Sequence, residues 1–249
     1  MKTMGISIVV TSGKGGTGKT SVTCGVGSCL AAMNYRVLLV DMDVGLRNLD
    51  LALGMTDRVM MDFTDVIYHR CALEEAIAEH PQIPNLFLLT APLTARAGQI
   101  DRLDMLSLLS TARAQFDYVL LDSPAGVDTG FELSICGADR AIVVSTTDPI
   151  CLRDAQRAVS ILQRQHIPIH LVVNKMSKRL LRKLHTNIDD AMDSAGLPLL
   201  GIVPEDEKVP VCGGLGQPLI LHARKGAAVG YYNIARRLTG TRVPLHRFF

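Results

Sequence analysis

The chain has 249 residues, of which 48% are hydrophobic, 20% charged and 4% aromatic, with no Trp. That is material for one large folded α/β unit or two small ones, and it argues against a disordered chain or an aromatic platform for single-stranded nucleic acid or sugar. Lys and Arg total 26 against 24 Asp and Glu, a formal charge of +2, so no overall field steers the chain to DNA or an anionic membrane.

Short β-branched runs alternate with longer helical patterns. Ile6–Thr11 reads as a buried strand and Lys19–Met33 as a helix rich in small residues. Val37–Asp41 is the next strand, Thr64–Ala78 a helical stretch, and Leu86–Thr90 a strand. Leu103–Ala114 reads as helix, Tyr118–Asp122 and Ala141–Ser145 as strands, and Leu152–Gln165 as helix. Ile169–Asn174 and Leu199–Val203 are strands around a helix over Lys178–Ala195, and Ala227–Leu238 is a last helix stopped by Gly240. Strands apolar on both faces and alternating with helices predict an α/β fold, a mostly parallel twisted sheet flanked by helices on both faces. In such a fold the ligand site lies beyond the carboxyl ends of the strands.

No apolar run approaches the about 20 residues that span a bilayer. Met1-Lys2-Thr3 leads into a short apolar stretch and a glycine loop, which is not a secretory signal. The six cysteines, Cys24, Cys29, Cys71, Cys136, Cys151 and Cys212, form no C-x-x-C pair. Free thiols in a reducing cytoplasm are the expectation, and a zinc or iron–sulfur site is not.

After the first strand comes Gly13-Lys14-Gly15-Gly16-Thr17-Gly18-Lys19-Thr20-Ser21, then a helix. This is G-x-x-x-x-G-K-[ST] in its strand–loop–helix setting. The glycines let backbone N–H groups converge on a phosphate, and the helix start adds its positive end. Lys19 supplies charge to the terminal phosphates, and the Thr20 hydroxyl suits Mg²⁺. Lys14 is unusual, because a second lysine is not needed to cradle phosphate. It reads either as a solvated loop lysine or as a side chain that neutralises phosphate charge, in its own subunit or across an interface, as an arginine finger does.

The second strand ends in Asp41-Met42-Asp43, two carboxylates that point the same way by the period of a strand. Asp41, nearer the strand, suits a metal role, and Asp43, further out, suits orienting the attacking water. A pair of capping aspartates is the competing reading. Tyr118–Leu121 ends in Asp122, the Mg²⁺-side carboxylate of a P-loop site, and Ser123-Pro124-Ala125-Gly126 follows as a turn able to sense the γ-phosphate. Base recognition falls to Asn174, whose amide both donates and accepts, or to Pro204-Glu205-Asp206. Lys175, Lys178, Arg179, Arg182, Lys183 and His185 form a basic cluster, read as a solvated face or as a phosphate patch for lipid headgroups or DNA.

Together these residues resemble the MinD/ParA family of deviant Walker A P-loop ATPases. The loop with its extra lysine, Lys14–Thr20, carries the likeness, with Asp122–Gly126, Val203–Asp206 and Gly216-Gln217-Pro218. Asp41–Leu51 is closest to the MinD branch, and the likeness runs from about Ile6 to about Leu238. It implies a slow, ATP- and Mg²⁺-dependent ATPase that forms a homodimer in the ATP state and helps place the division site. A partition ATPase, a flagellar-placement ATPase and a non-membrane switch of unknown partner are the alternatives. Carried over, Lys14 reaches the partner's ATP, Asp43 is needed for hydrolysis, Asp41 and Asp122 stand on the magnesium side with Thr20, and Asn174 contacts adenine. Asp148 and Arg153-Asp154 fall where the family meets a division inhibitor and a topological regulator.

The resemblance makes residues 1–240 one ATPase domain and 241–249 a short tail. Members of the MinD branch end in a basic amphipathic helix that inserts in the membrane, whereas Pro244 prevents a continuous helix over Thr241–Phe249. The expectation is a cytoplasmic protein with at most a weak peripheral contact at the inner face of the cell membrane. DNA is not an expected partner.

Overall fold

A computed structural model describes residues 4–177, 179, 192–193 and 195–245. In chain order the elements are β1 (Ile6–Thr11), α1 (Lys19–Ala32), β2 (Val37–Asp41), α2 (Leu49–Leu53), α3 (Phe63–Ile67), α4 (Leu73–Ala76), β3 (Ala78–Glu79) and β4 (Leu86–Leu89). Then come α5 (Arg102–Gln115), β5 (Tyr118–Asp122), α6 (Thr129–Ile135), β6 (Arg140–Ser145), α7 (Pro149–Arg164), β7 (Ile169–Met176) and β8 (Leu199–Pro204). After β8 follow α8 (Lys208–Gly214), α9 (Leu219–His222) and α10 (Ala227–Leu238).

The strands form one sheet in the order β3-β4-β2-β5-β1-β6-β7-β8, parallel throughout except for the short β3–β4 pair. The alternation of side chains divides the core in two. Leu38, Val40, Val119, Leu121 and Val143 face α5 and α7, meeting Met105, Leu109, Ala155 and Leu162. Leu39, Leu120, Ile142 and Val144 face α1 and α10, meeting Val22, Val26, Leu30, Tyr231 and Ile234. Each large apolar side chain so buried contributes about 1.5–3 kcal/mol relative to exposure. From β1 the chain winds one way to β2, and from β5 it winds the other way to β6. The carboxyl end of β1 therefore lies in the crevice that such a reversal opens.

The expected helix over Thr64–Ala78 is two short helices instead. Asp62 caps α3 by accepting from Thr64 N (2.8 Å), and Asp65 returns the bond to Asp62 N (3.0 Å). The chain then turns at His69, whose φ of 55° ends the helical path before α4. β7 runs two residues past its predicted end, to Met176, with irregular pairing to β8. The helix expected over Lys178–Ala195 lies almost wholly outside the described residues, as do Lys178, Arg182, Lys183 and His185 of the basic cluster. All six cysteines are free, and five are buried. No helix among the described residues is long and apolar enough to cross a membrane.

Candidate functional site

The glycine loop sits between β1 and α1, at the carboxyl edge of the sheet. Gly18 precedes the first turn of α1 with φ 92°, and a Cβ there would lie 2.3 Å from Asn174 Nδ2. Both facts demand glycine. Gly13 is held as closely, because a Cβ on it would lie 2.0 Å from the Asp154 carbonyl group of α7. Ser12 Oγ donates to the Lys14 carbonyl (2.7 Å) and accepts from Lys19 Nζ (3.1 Å), which ties the loop across its own base. Burial lowers the pKa of Lys19, while the carboxylates of Asp122 and Asp43 oppose that shift. Lys14 is exposed.

A cavity of about 850 Å³ opens over the loop. Gly15, Gly16, Gly18, Lys19, Thr20 and Ser21 line it from one side, and Asn174, Pro204, Glu205 and Asp206 from the other. Its size suits a nucleotide. Gly13, Lys14 and Thr17 lie outside this lining. Thr17 is buried, with its carbonyl turned toward Asn174.

The three expected carboxylates take different positions. Asp122, 3% exposed, accepts from Thr20 Oγ1 (2.7 Å) and Thr23 Oγ1 (2.9 Å). Burial raises its pKa to about 7, and the two hydroxyls and Lys19 restrain the rise. A threonine hydroxyl against a carboxylate is a hard-oxygen pair of the kind Mg²⁺ takes. Among the described residues no group of three or more His, Cys, Asp or Glu could cage a metal.

Asp41 and Asp43 do not form the parallel pair expected. β2 ends at Asp41, so the alternation of a strand does not carry on to Asp43. Asp41 is fully buried, and its carboxylate accepts from the backbone N–H of Asp43 (2.9 Å), Asn48 (2.9 Å) and Leu49 (3.0 Å). Three of its about four lone-pair directions are thereby used. A direct metal ligand does not fit that geometry, and Asp41 instead staples residues 43–49 to the strand end. Asp43 is half-buried and lines the cavity, with Asn48 Nδ2 at 3.5 Å from its carboxylate. Burial raises its pKa against the pull of Lys19.

On the opposite wall, Asn174 is 3% exposed and donates Nδ2 to the Thr17 carbonyl (2.8 Å). Half of the amide expected to read a base therefore braces the loop. Lys175, assigned from sequence to the basic cluster, lines the cavity and donates Nζ to the Gly16 carbonyl (2.8 Å). Asn48, Ser123, Ala125, Glu207, Val209 and Pro210 complete the lining. Val209 and Pro210 lie on α8, which the sequence pattern does not announce. Asp148 caps α7 by accepting from Ile150 N (2.9 Å), and Arg153 is exposed on that helix.

Residues 8–219 match the family described as CobQ/CobB/MinD/ParA nucleotide binding domain. A septum site-determining protein MinD of Bacillus subtilis is 37% identical over 246 residues, 97% of this chain and 92% of that protein. A MinC:MinD cell division protein complex of Aquifex aeolicus contains a chain that superposes with a TM-score of 0.90 at 32% identity, covering 97% of this chain and 98% of that one. The septum site-determining protein MinD of Pyrococcus horikoshii, complexed with Mg-ADP, gives a TM-score of 0.85 at 28% identity over 94% of this chain and 96% of that one.

Proposed function

This chain belongs to the CobQ/CobB/MinD/ParA nucleotide-binding family, and from that premise we propose how it works as a MinD-like ATPase that helps place the division site. One ATPase unit, residues 1–240, binds ATP with Mg²⁺, forms a homodimer, and in that state is read by a division inhibitor and a topological regulator. The inhibitor is suggested by the MinC:MinD complex of Aquifex aeolicus. A peripheral membrane contact belongs to the same reading. Cosedimentation with anionic liposomes in ATP but not ADP supports that contact, and none in either nucleotide removes it.

The observation that carries the reading is the Thr20–Asp122 pair at the foot of a cavity lined by Lys19 and Asp43. The backbone N–H groups of Gly15–Lys19 receive the phosphates, and the Lys19 ammonium neutralises their charge. Mg²⁺, when bound, neutralises further charge beside Thr20 and Asp122. Asp41 acts on that side through water, because its inner positions are occupied by backbone donors. Asp43 orients the water that attacks the γ-phosphate, and Asn174 keeps its amide oxygen for the exocyclic amine of adenine. Phosphate release by the wild type, Asp43→Ala and Lys19→Ala tests the scheme. Asp43→Ala should bind nucleotide with little or no turnover, and Lys19→Ala should not bind. Equal turnover in all three proteins would overturn it.

A further inference from the structure

Residue 175 combines two features that the nucleotide-binding reading does not require. Its backbone φ is 51°, a left-handed conformation that lysine rarely adopts. It also falls where the β7–β8 register shifts between Val173 and Met176. The result is that an exposed lysine at the end of a buried strand turns back over the glycine loop, with its ammonium on the Gly16 carbonyl.

The loop explains why that carbonyl matters. For its N–H groups to converge on phosphate, the carbonyls of the same peptides must face outward. Two of the loop's carbonyls, Gly16 and Thr17, meet donors from β7: Lys175 Nζ and Asn174 Nδ2, each at 2.8 Å. Gly16 itself has φ 78°, and nothing lies near the position its Cβ would take. Local packing therefore does little to stop the Gly16–Thr17 peptide from flipping. A flip would turn an acceptor toward the phosphates and remove an N–H from them.

We infer that Lys175 is a positioning residue for the nucleotide. It holds the Gly16 carbonyl outward so that the phosphate-binding N–H groups are set before ligand arrives. The role rests on the nucleotide-binding reading. It differs from that of Lys19, whose charge acts on the phosphates themselves. Preorganisation of the loop serves the α- and β-phosphates, so it supports ADP and ATP alike and belongs to binding rather than to the chemical step.

The test is a fluorescent-nucleotide titration with Mg²⁺, a steady-state ATPase assay and a thermal melt. The proteins are the wild type, Lys175→Met, Lys175→Arg and Lys175→Gly. The methionine variant keeps the stem and loses the ammonium. Loss of one charge-assisted hydrogen bond should weaken ADP and ATP binding by about tenfold each and raise KM with kcat unchanged. Arginine should recover most of the affinity. Glycine relieves the left-handed backbone, so it should lose affinity without lowering the melting temperature. Wild-type affinity in the glycine or methionine variant would overturn the inference. So would a loss confined to ATP, which would put the ammonium on the γ-phosphate rather than on the loop. A wild type that binds neither nucleotide would instead sink the nucleotide-binding reading itself.

Discussion

At the scale of single residues, Asp122 shows how much depends on where a carboxylate is buried. It shares the parity of Tyr118 and Leu120 on β5, so it faces α1 and meets Thr20 and Thr23 there. Burial disfavours its charge, and a cation at the phosphate end compensates for that cost. Asp122→Asn keeps the volume and a hydrogen-bonding partner for each hydroxyl but removes the charge. Its thermal melting temperature should not fall, while Mg²⁺-dependent phosphate release should drop about a hundredfold or more. Unchanged release would move the metal-side charge elsewhere. That three aspartates stand at the ends of β2 and β5 beside the glycine loop was legible in the sequence, but their separate surroundings were not. Asp41 and Asp43 are the same residue type two positions apart. Their surroundings separate because β2 ends between them and the backbone of Asp43, Asn48 and Leu49 folds back onto the first. Lys175 joins the basic cluster in sequence because its charge is visible there and its left-handed φ is not.

At the scale of elements, the buried strands were plain because Val, Ile and Leu on both faces leave few other readings. The short helices were not. Val66, Ile67, Leu73 and Ala76 keep a helical spacing through a segment that breaks at His69, where neither Gly nor Pro marks the turn. α8 holds Pro210 and ends in Gly213-Gly214, a composition that reads as loop. His80 links two such pieces. Its Nδ1 accepts from Gln82 N and Ile83 N (3.1 Å each), so its Nε2 carries the proton and donates to the Leu53 carbonyl at the end of α2 (3.2 Å). A second proton on the ring would face two N–H groups. Burial holds its pKa below the ordinary imidazole value of 6.5, and nearby Arg58 adds to the shift. Between that lowered value and 6.5 the unfolded chain binds more protons than the folded one, so stability rises with pH there. The contribution is complete above about pH 6.5 and is lost as pH falls through the folded pKa. Urea midpoints taken at about pH 7.5 and about pH 5 should fall further for the wild type than for His80→Gln. Equal falls would show that His80 carries no part of the pH response.

At the scale of the whole molecule, the formal charge of +2 says little, because the three lysines at the glycine loop are each placed differently. Lys19 is buried against Ser12, Lys175 bends onto the loop, and Lys14 does neither. The Lys14 carbonyl is fixed by Ser12 Oγ, so the backbone is rigid at that point while the side chain stands outside the cavity of its own subunit. An exposed lysine on a rigid loop beside a polyphosphate site is well placed to meet the phosphates of a second copy. Ammonium and phosphate would be desolvated together as the two faces close, where such a pair is stronger than in water. Lying outside the lining of its own cavity, the side chain is expected to add little to binding within one subunit. Lys14→Ala should therefore bind ATP within about threefold of the wild type, a difference well under 1 kcal/mol. It should nevertheless stay monomeric in size-exclusion chromatography with ATP and Mg²⁺, where the wild type should run as a dimer. A variant that dimerises as the wild type does would remove Lys14 from the interface. A variant that no longer binds ATP would return its charge to its own subunit's nucleotide.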